Sequence, residues 1–177
     1  LGDDKSVVFT VTAANDAHLG FFSNTQSNDE VYEIVLSGWG NTMSTIRPCN
    51  QCDNSYQGED ADGGRLPTPD LLSATEDRTF WATANYGLVV VGTGGDVGNN
   101  EIMRWQDPEF HEPVYVGIMT GWGGTGAWTV CATGWVADTC TASGVAGVTY
   151  RRWNGVGGDP TQSGVFLVDP DSTTYNA

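Results

Sequence analysis

The sequence predicts an all-β protein, an antiparallel β-sandwich with little or no helix, and three observations carry that prediction. Short stretches rich in Val, Thr, Tyr, Phe and Trp recur along the chain, several alternate apolar and polar residues at period two, and Gly, Asn, Asp and Pro separate them. The 24 glycines add weight, because each glycine inside a helix costs about 1 kcal/mol relative to alanine. The 177 residues suit one domain with room for a hydrophobic core.

Taken in order, the strand-like stretches are "SVVFTVTAA" (6–14), "EVYEIVLSGW" (30–39), "TFWATANYGLVVVG" (79–92), "PVYVGIMTGW" (113–122), "GAWTVCATGW" (126–135), "GVAGVTYRRW" (144–153) and "SGVFLVDP" (163–170). In the second, Tyr32, Ile34 and Leu36 fall on one face and Glu33 on the other. Trp39, Trp81 and Trp128 lie inside such stretches and read as core residues, since large aromatics dominate sandwich interiors. Between 48 and 79 the pattern lapses into a long loop-rich insertion, and loops of that length are usually functional or disordered.

"VVVGTGGDVG" (89–98) raises the question of a phosphate-cradling turn, with Gly92, Gly94 and Gly98 following a valine run. Such a turn needs a helix N-terminus behind it. Here "NNEIMRWQDPEFHEP" follows, with two prolines and no apolar helical face, so the glycines read as sites where strands turn sharply. Other catalytic patterns are also missing. No serine occupies a G-x-S-x-G elbow, and His18 and His111 stand far apart with no ligand or triad spacing. His18 reads as a solvated or hydrogen-bonded side chain at a strand end. The sequence therefore predicts a binding protein and not an enzyme.

Charge narrows the partners. Lys+Arg 7 against Asp+Glu 22 gives a net charge of -15, which repels nucleic acid and anionic lipid surfaces. No apolar run is long enough to span a bilayer as a helix. A start at Leu1 and an even set of four cysteines lead us to expect a mature, secreted chain with disulfides. Cys131 and Cys140 flank a stretch that can fold back as a hairpin and are paired on that ground. Cys49 and Cys52, in "PCNQCD", are expected to form a local bridge or one between subunits. No N-x-S/T sequon occurs, so no N-linked glycan is expected.

Several blocks in order, "FTVTAANDAHLGF", "YEIVLSGWGNTMSTIR", "FWATANYGLVVVGTG", "IMRWQDPEF" and "VGIMTGWGGTGAW", resemble the farnesoic acid O-methyltransferase domain family over roughly residues 9–128. The family's name implies methyl transfer from S-adenosylmethionine, although its blocks contain no recognisable fold for that cofactor. A secreted, acidic, cysteine-containing form of this size also resembles the calcium-dependent galactose-binding lectins of sea anemones. That resemblance implies a lectin, calcium as cofactor and galactose-containing glycans as partners.

The insertion carries Asp53, Asn54, Glu59, Asp60 and Asp62 close together, the oxygen-rich set that Ca2+ favours, without the spacing of an EF-hand. A second such segment, Asp96, Asn99, Asn100 and Glu101, reads as a turn that completes a site if it folds beside the first. Sugar recognition also needs an aromatic platform and polar groups on the hydroxyls. Tyr56, Trp105 and Trp135, near loops, are the platform candidates, and Arg65 and Arg104 the candidates for bridging a hydroxyl and a carboxylate. One shallow sugar site commonly binds at only about -4 kcal/mol, so multivalency through a homodimer is expected, with Cys49 or Cys52 as the candidate link.

Overall fold

A computed structural model describes residues 5–23, 30–49, 52–56, 61–113, 115–122, 124–133, 139–140, 149–151 and 163–168. Among the described residues, thirteen strands form two antiparallel sheets. They are β1 (Ser6–Ala13), β2 (Ala17–Phe22), β3 (Val31–Ser37), β4 (Met43–Arg47), β5 (Leu66–Pro67), β6 (Arg78–Asn85), β7 (Leu88–Thr93), β8 (Glu101–Gln106), β9 (Tyr115–Thr120), β10 (Gly126–Thr133), β11 (Thr139–Cys140), β12 (Thr149–Arg151) and β13 (Ser163–Val168). The first sheet has the order β11-β10-β1-β6-β7-β8, the second β12-β13-β9-β2-β3-β4-β5. Gly38–Asn41 is helical in name only, because Trp39 and Gly40 have φ of 53° and 73°. Among the described residues no helix is long and apolar enough to cross a membrane.

The core lies where the two sheets face each other. β1 alternates, sending Val7, Phe9, Val11 and Ala13 inward. Phe9 sits opposite Phe80 in the ladder and stacks on it at 5.5 Å, with Trp128 at 5.8 Å on the other side. From the second sheet Leu19, Phe21, Tyr32, Ile34 and Leu36 close the core. The face expected for Tyr32, Ile34 and Leu36 is thus the core face.

The opposite face of the second sheet, where Glu33 was placed, is covered as well. β2 and β3 are buried along their whole length on both faces. Phe22, Val31 and Met119, with Tyr115 against them, form a second apolar cluster on that outer face. His18 and Glu33 lie on the same face, both buried. Burying a carboxylate is costly unless it is paired, which is where the functional reading starts.

The glycine turn proves to be the connection between β7 and β8, two antiparallel neighbours. Gly94 and Gly98 have φ of 86° and 89° and serve the turn, but Gly92 serves packing. It lies within β7 opposite Trp81, and a Cβ there would overlap the indole. Gly92→Ala is therefore expected to destabilise the fold by about 1–3 kcal/mol, read as a lowered urea midpoint at unchanged slope.

Candidate functional site

Three loops meet at one end of the second sheet: 14–16 after β1, 38–42 after β3, and 121–122 with 124–125 after β9. Asp16 joins them through its backbone. Its N–H donates to Ser37 C=O at 3.0 Å, and its C=O accepts from Gly121 N–H at 2.9 Å. The Gly124 N–H donates to Gly121 C=O, and Thr120 Oγ1 to Gly124 C=O, each at 2.9 Å. Of eight described non-glycine residues with positive φ, five lie here: Asp16, Ser37, Trp39, Asn41 and Trp122. A bulky residue in that region costs of order 1–3 kcal/mol, and such strain clusters at functional sites.

The strain has a visible result. Trp39 and Trp122 are 41% and 66% exposed, and both line a cavity of about 320 Å³ with Asp16, His18, Val35 and Arg47. Both indoles follow a glycine that has little room for a side chain. A Cβ on Gly121 would lie 2.8 Å from His18 Nε2, and one on Gly38 3.3 Å from Asp16 Oδ1.

Beneath the cavity runs a buried charged network. His18 Nδ1 donates to Glu33 Oε1 at 2.9 Å, and Arg47 Nη1 to Glu33 Oε2 at 3.0 Å, so one carboxylate holds both side chains. Arg47 Nε donates to Asn54 Oδ1 at 3.0 Å. The guanidinium carbons of Arg47 and Arg65 lie 5.8 and 5.1 Å from the Trp39 ring, within cation–π range.

Asp16 is the exception to this pairing. It is 7% exposed, and among the described residues no group donates a hydrogen bond to its carboxylate. Burial holds its carboxyl above the usual carboxylate range, opposed by the positive fields of His18 and Arg47. The folded state then binds the proton more tightly than the unfolded state does. Stability is accordingly lost as pH rises from the ordinary carboxylate value through the raised one, and ionised Asp16 is a net cost at neutral pH.

Some residues singled out in the sequence lie at this site and others elsewhere. Asn54 and Arg65 belong to its rim. Asp62 and Arg65 close a tight turn through Gly63 and Gly64 by reciprocal backbone hydrogen bonds of 2.8 and 3.1 Å, and Arg65 Nη2 lies 3.8 Å from Asp62 Oδ2. Asp53 is exposed beside this rim, while Glu59, Asp60 and Trp135 lie outside the described residues. Among the described residues no three His, Cys, Asp or Glu converge as a metal site.

Asp96, Asn99, Asn100 and Glu101 lie in the β7–β8 connection and at the start of β8, on the other sheet. Asn99 C=O accepts from Trp81 Nε1 at 2.6 Å, and Glu101 pairs with Arg104, which holds the Glu101 carboxyl below its usual range. No hydrogen bond or ion pair among the described residues joins this segment to 53–65.

The aromatic assignments need correcting. Tyr56 packs into the core and is not a platform. Trp105 is part of β8, packed on the core with its ring 6.1 Å from Tyr32. Trp39, read as core, is instead one wall of the cleft, whereas Trp81 is buried and Trp128 packs on the core as expected. His18 is hydrogen-bonded near a strand end, one of the two alternatives read from the sequence, but its burial beside Glu33 was not anticipated. A signal for the cleft was available, because Ser/Thr-Gly-Trp-Gly occurs at both 37–40 and 120–123, directly after two strand-like runs.

Cys49 and Cys52 form an intrachain disulfide with Cα atoms 5.6 Å apart, the local one of the two bridges expected, which removes them as a link between subunits. Cys131 and Cys140 are direct partners in the β10–β11 ladder, as a hairpin requires; their side chains lie outside the described residues.

No curated protein and no solved structure matches the chain. A family model does match, over residues 1–133, under the description farnesoic acid O-methyl transferase. That description names an enzymatic transfer and corrects the reading of the sequence as non-enzymatic. By this match, which spans most of its length, the chain belongs to the farnesoic acid O-methyl transferase family.

Proposed function

We propose that the cleft between Trp39 and Trp122 binds a pyranose ring and that the protein is a lectin for galactose-containing glycans in an extracellular setting. The observation that carries this reading is Asp16, a buried carboxylate facing the cleft with no donor of its own among the described residues. A sugar hydroxyl supplies the missing donor, while an exposed indole offers a flat apolar face to the ring. Galactose itself comes from the lectin resemblance of the sequence.

Asp16→Asn tests the reading in two measurements. The melting temperature is expected to rise by a few degrees at neutral pH, since a buried unpaired charge is removed. Affinity for galactose on a glycan array and by calorimetry is expected to fall at least tenfold. Unchanged affinity would remove Asp16 from the site, and failure of the wild-type protein to bind any hexose would end the lectin reading.

Calcium enters this proposal through the acidic run 53–62. Asp60→Asn combined with Asp62→Asn is expected to weaken calcium binding at least tenfold by calorimetry, and unchanged affinity would take the ion away from this loop. Shallow sites favour avidity, so we place the protein in a homodimer held without Cys49 and Cys52, which light scattering would reveal as twice the monomer mass.

The family's description supports a second reading, methyl transfer to the carboxylate of a farnesoic-acid-like ligand. Arg47 lines the cleft and offers that carboxylate, itself the nucleophile, a cation to orient it. Methyl farnesoate appearing by mass spectrometry when the protein, farnesoic acid and a methyl donor are mixed would establish it.

A further inference from the structure

Trp122 belongs to two cavities. Beyond the cleft already described lies a second, of about 550 Å³, bounded by Thr12, Asn15, Ala74, Trp122 and Thr125 together with small residues. Among the described residues, Trp122 is the one that lines both. Its indole therefore stands as a ridge between them, 66% exposed and held there by a left-handed backbone with φ of 52°.

The two cavities differ in chemistry. The first presents charged groups, Asp16, His18 and Arg47. The second presents neutral ones, the Asn15 amide and the Thr125 hydroxyl, and neither side chain makes a hydrogen bond among the described residues. Two residues that line it, Gly124 and Gly126, sit where a side chain would meet packed neighbours. A Cβ on Gly126 would lie 2.8 Å from Thr120 Cγ2, and one on Gly124 3.0 Å from Gly121 C=O.

We infer that the second cavity is a subsite for a neighbouring sugar residue, so that the preferred ligand is an oligosaccharide laid across Trp122 and not a single ring. This inference rests on the lectin reading of the first cleft. Each cavity falls within the about 300–1,000 Å³ typical of small-molecule sites, and both open beside the same exposed aromatic ridge. A charged cleft selects one ring by its hydroxyl pattern. A neutral neighbour adds contact area and a few hydrogen bonds to the next ring, the arrangement that raises affinity with ligand length.

Calorimetry with galactose, lactose and melibiose tests the inference, using the wild-type protein, Trp122→Ala and Ala74→Trp. Ala74 is exposed, so a tryptophan there fills the second cavity without disturbing the core. At least one disaccharide is expected to bind the wild type at least tenfold tighter than galactose. Ala74→Trp is expected to bring that disaccharide back to the affinity of galactose and leave galactose unaltered, while Trp122→Ala weakens every sugar. Equal affinities for all three sugars, or a disaccharide advantage that survives Ala74→Trp, would overturn the subsite and leave the lectin reading intact. No binding of any of the three would overturn both.

Discussion

Glu33→Ala is expected to destabilise the fold by about 3–5 kcal/mol, the cost of removing one member of a buried ion-paired group. Glu33 is fully buried, and its two oxygens accept from His18 Nδ1 at 2.9 Å and Arg47 Nη1 at 3.0 Å. Without it, the Arg47 charge and the His18 ring lose their shared acceptor in a water-poor setting, and a void opens between β2, β3 and β4. Urea unfolding should show a lowered midpoint with little change in slope. Glu33→Gln retains the shape and one acceptor oxygen and should lose less. A loss below about 1 kcal/mol for the alanine variant would place the network at the level of a surface pair. Because both partners line the cleft, ligand affinity should fall along with stability.

Trp81→Ala is the second large effect, at about 3–5 kcal/mol for truncating a buried aromatic. The indole is almost fully buried, faces Gly92 across the β6–β7 ladder, and donates from Nε1 to Asn99 C=O at 2.6 Å. Removing it opens a void beside Gly92 on the outer face of the first sheet and frees the β7–β8 turn. The position of Gly92 supplies a stricter test. Gly92→Ala is harmful because its Cβ meets the indole, so in a Trp81→Ala background the same change should be nearly neutral. Additive losses in the double variant would show that Gly92 is needed for its backbone conformation and not for the room it leaves.

Legibility in the sequence followed the period-two signal. β1, β3, β6, β7, β9, β10 and β13 all coincide with stretches that alternate or carry β-branched and aromatic runs. β2, "AHLGFF", was not singled out as a strand because it is buried on both faces and shows no alternation. The same limit hid the functional residues. Alternation placed Glu33 opposite Tyr32, Ile34 and Leu36, but a face assignment does not say whether that face is covered, and here Glu33 is buried with His18 and Arg47. Trp39 and Tyr56 were misread in opposite senses for one reason. An aromatic residue at the end of a strand-like run reads as core and one in a loop reads as accessible, whereas the left-handed turn at Trp39 carries its ring outward and the packing of 52–56 against β4 carries Tyr56 inward.

By itself, then, the sequence determined the architecture, an antiparallel sandwich with its core face, because strand propensity and alternation are local properties written every second residue. Only the tertiary structure decided the site. Asp16, Ser37 and Gly121 lie far apart in the chain, and the backbone hydrogen bonds that join them raise two tryptophans around a buried carboxylate. That grouping depends on which loops meet at one end of a sheet, a long-range property that no local pattern encodes.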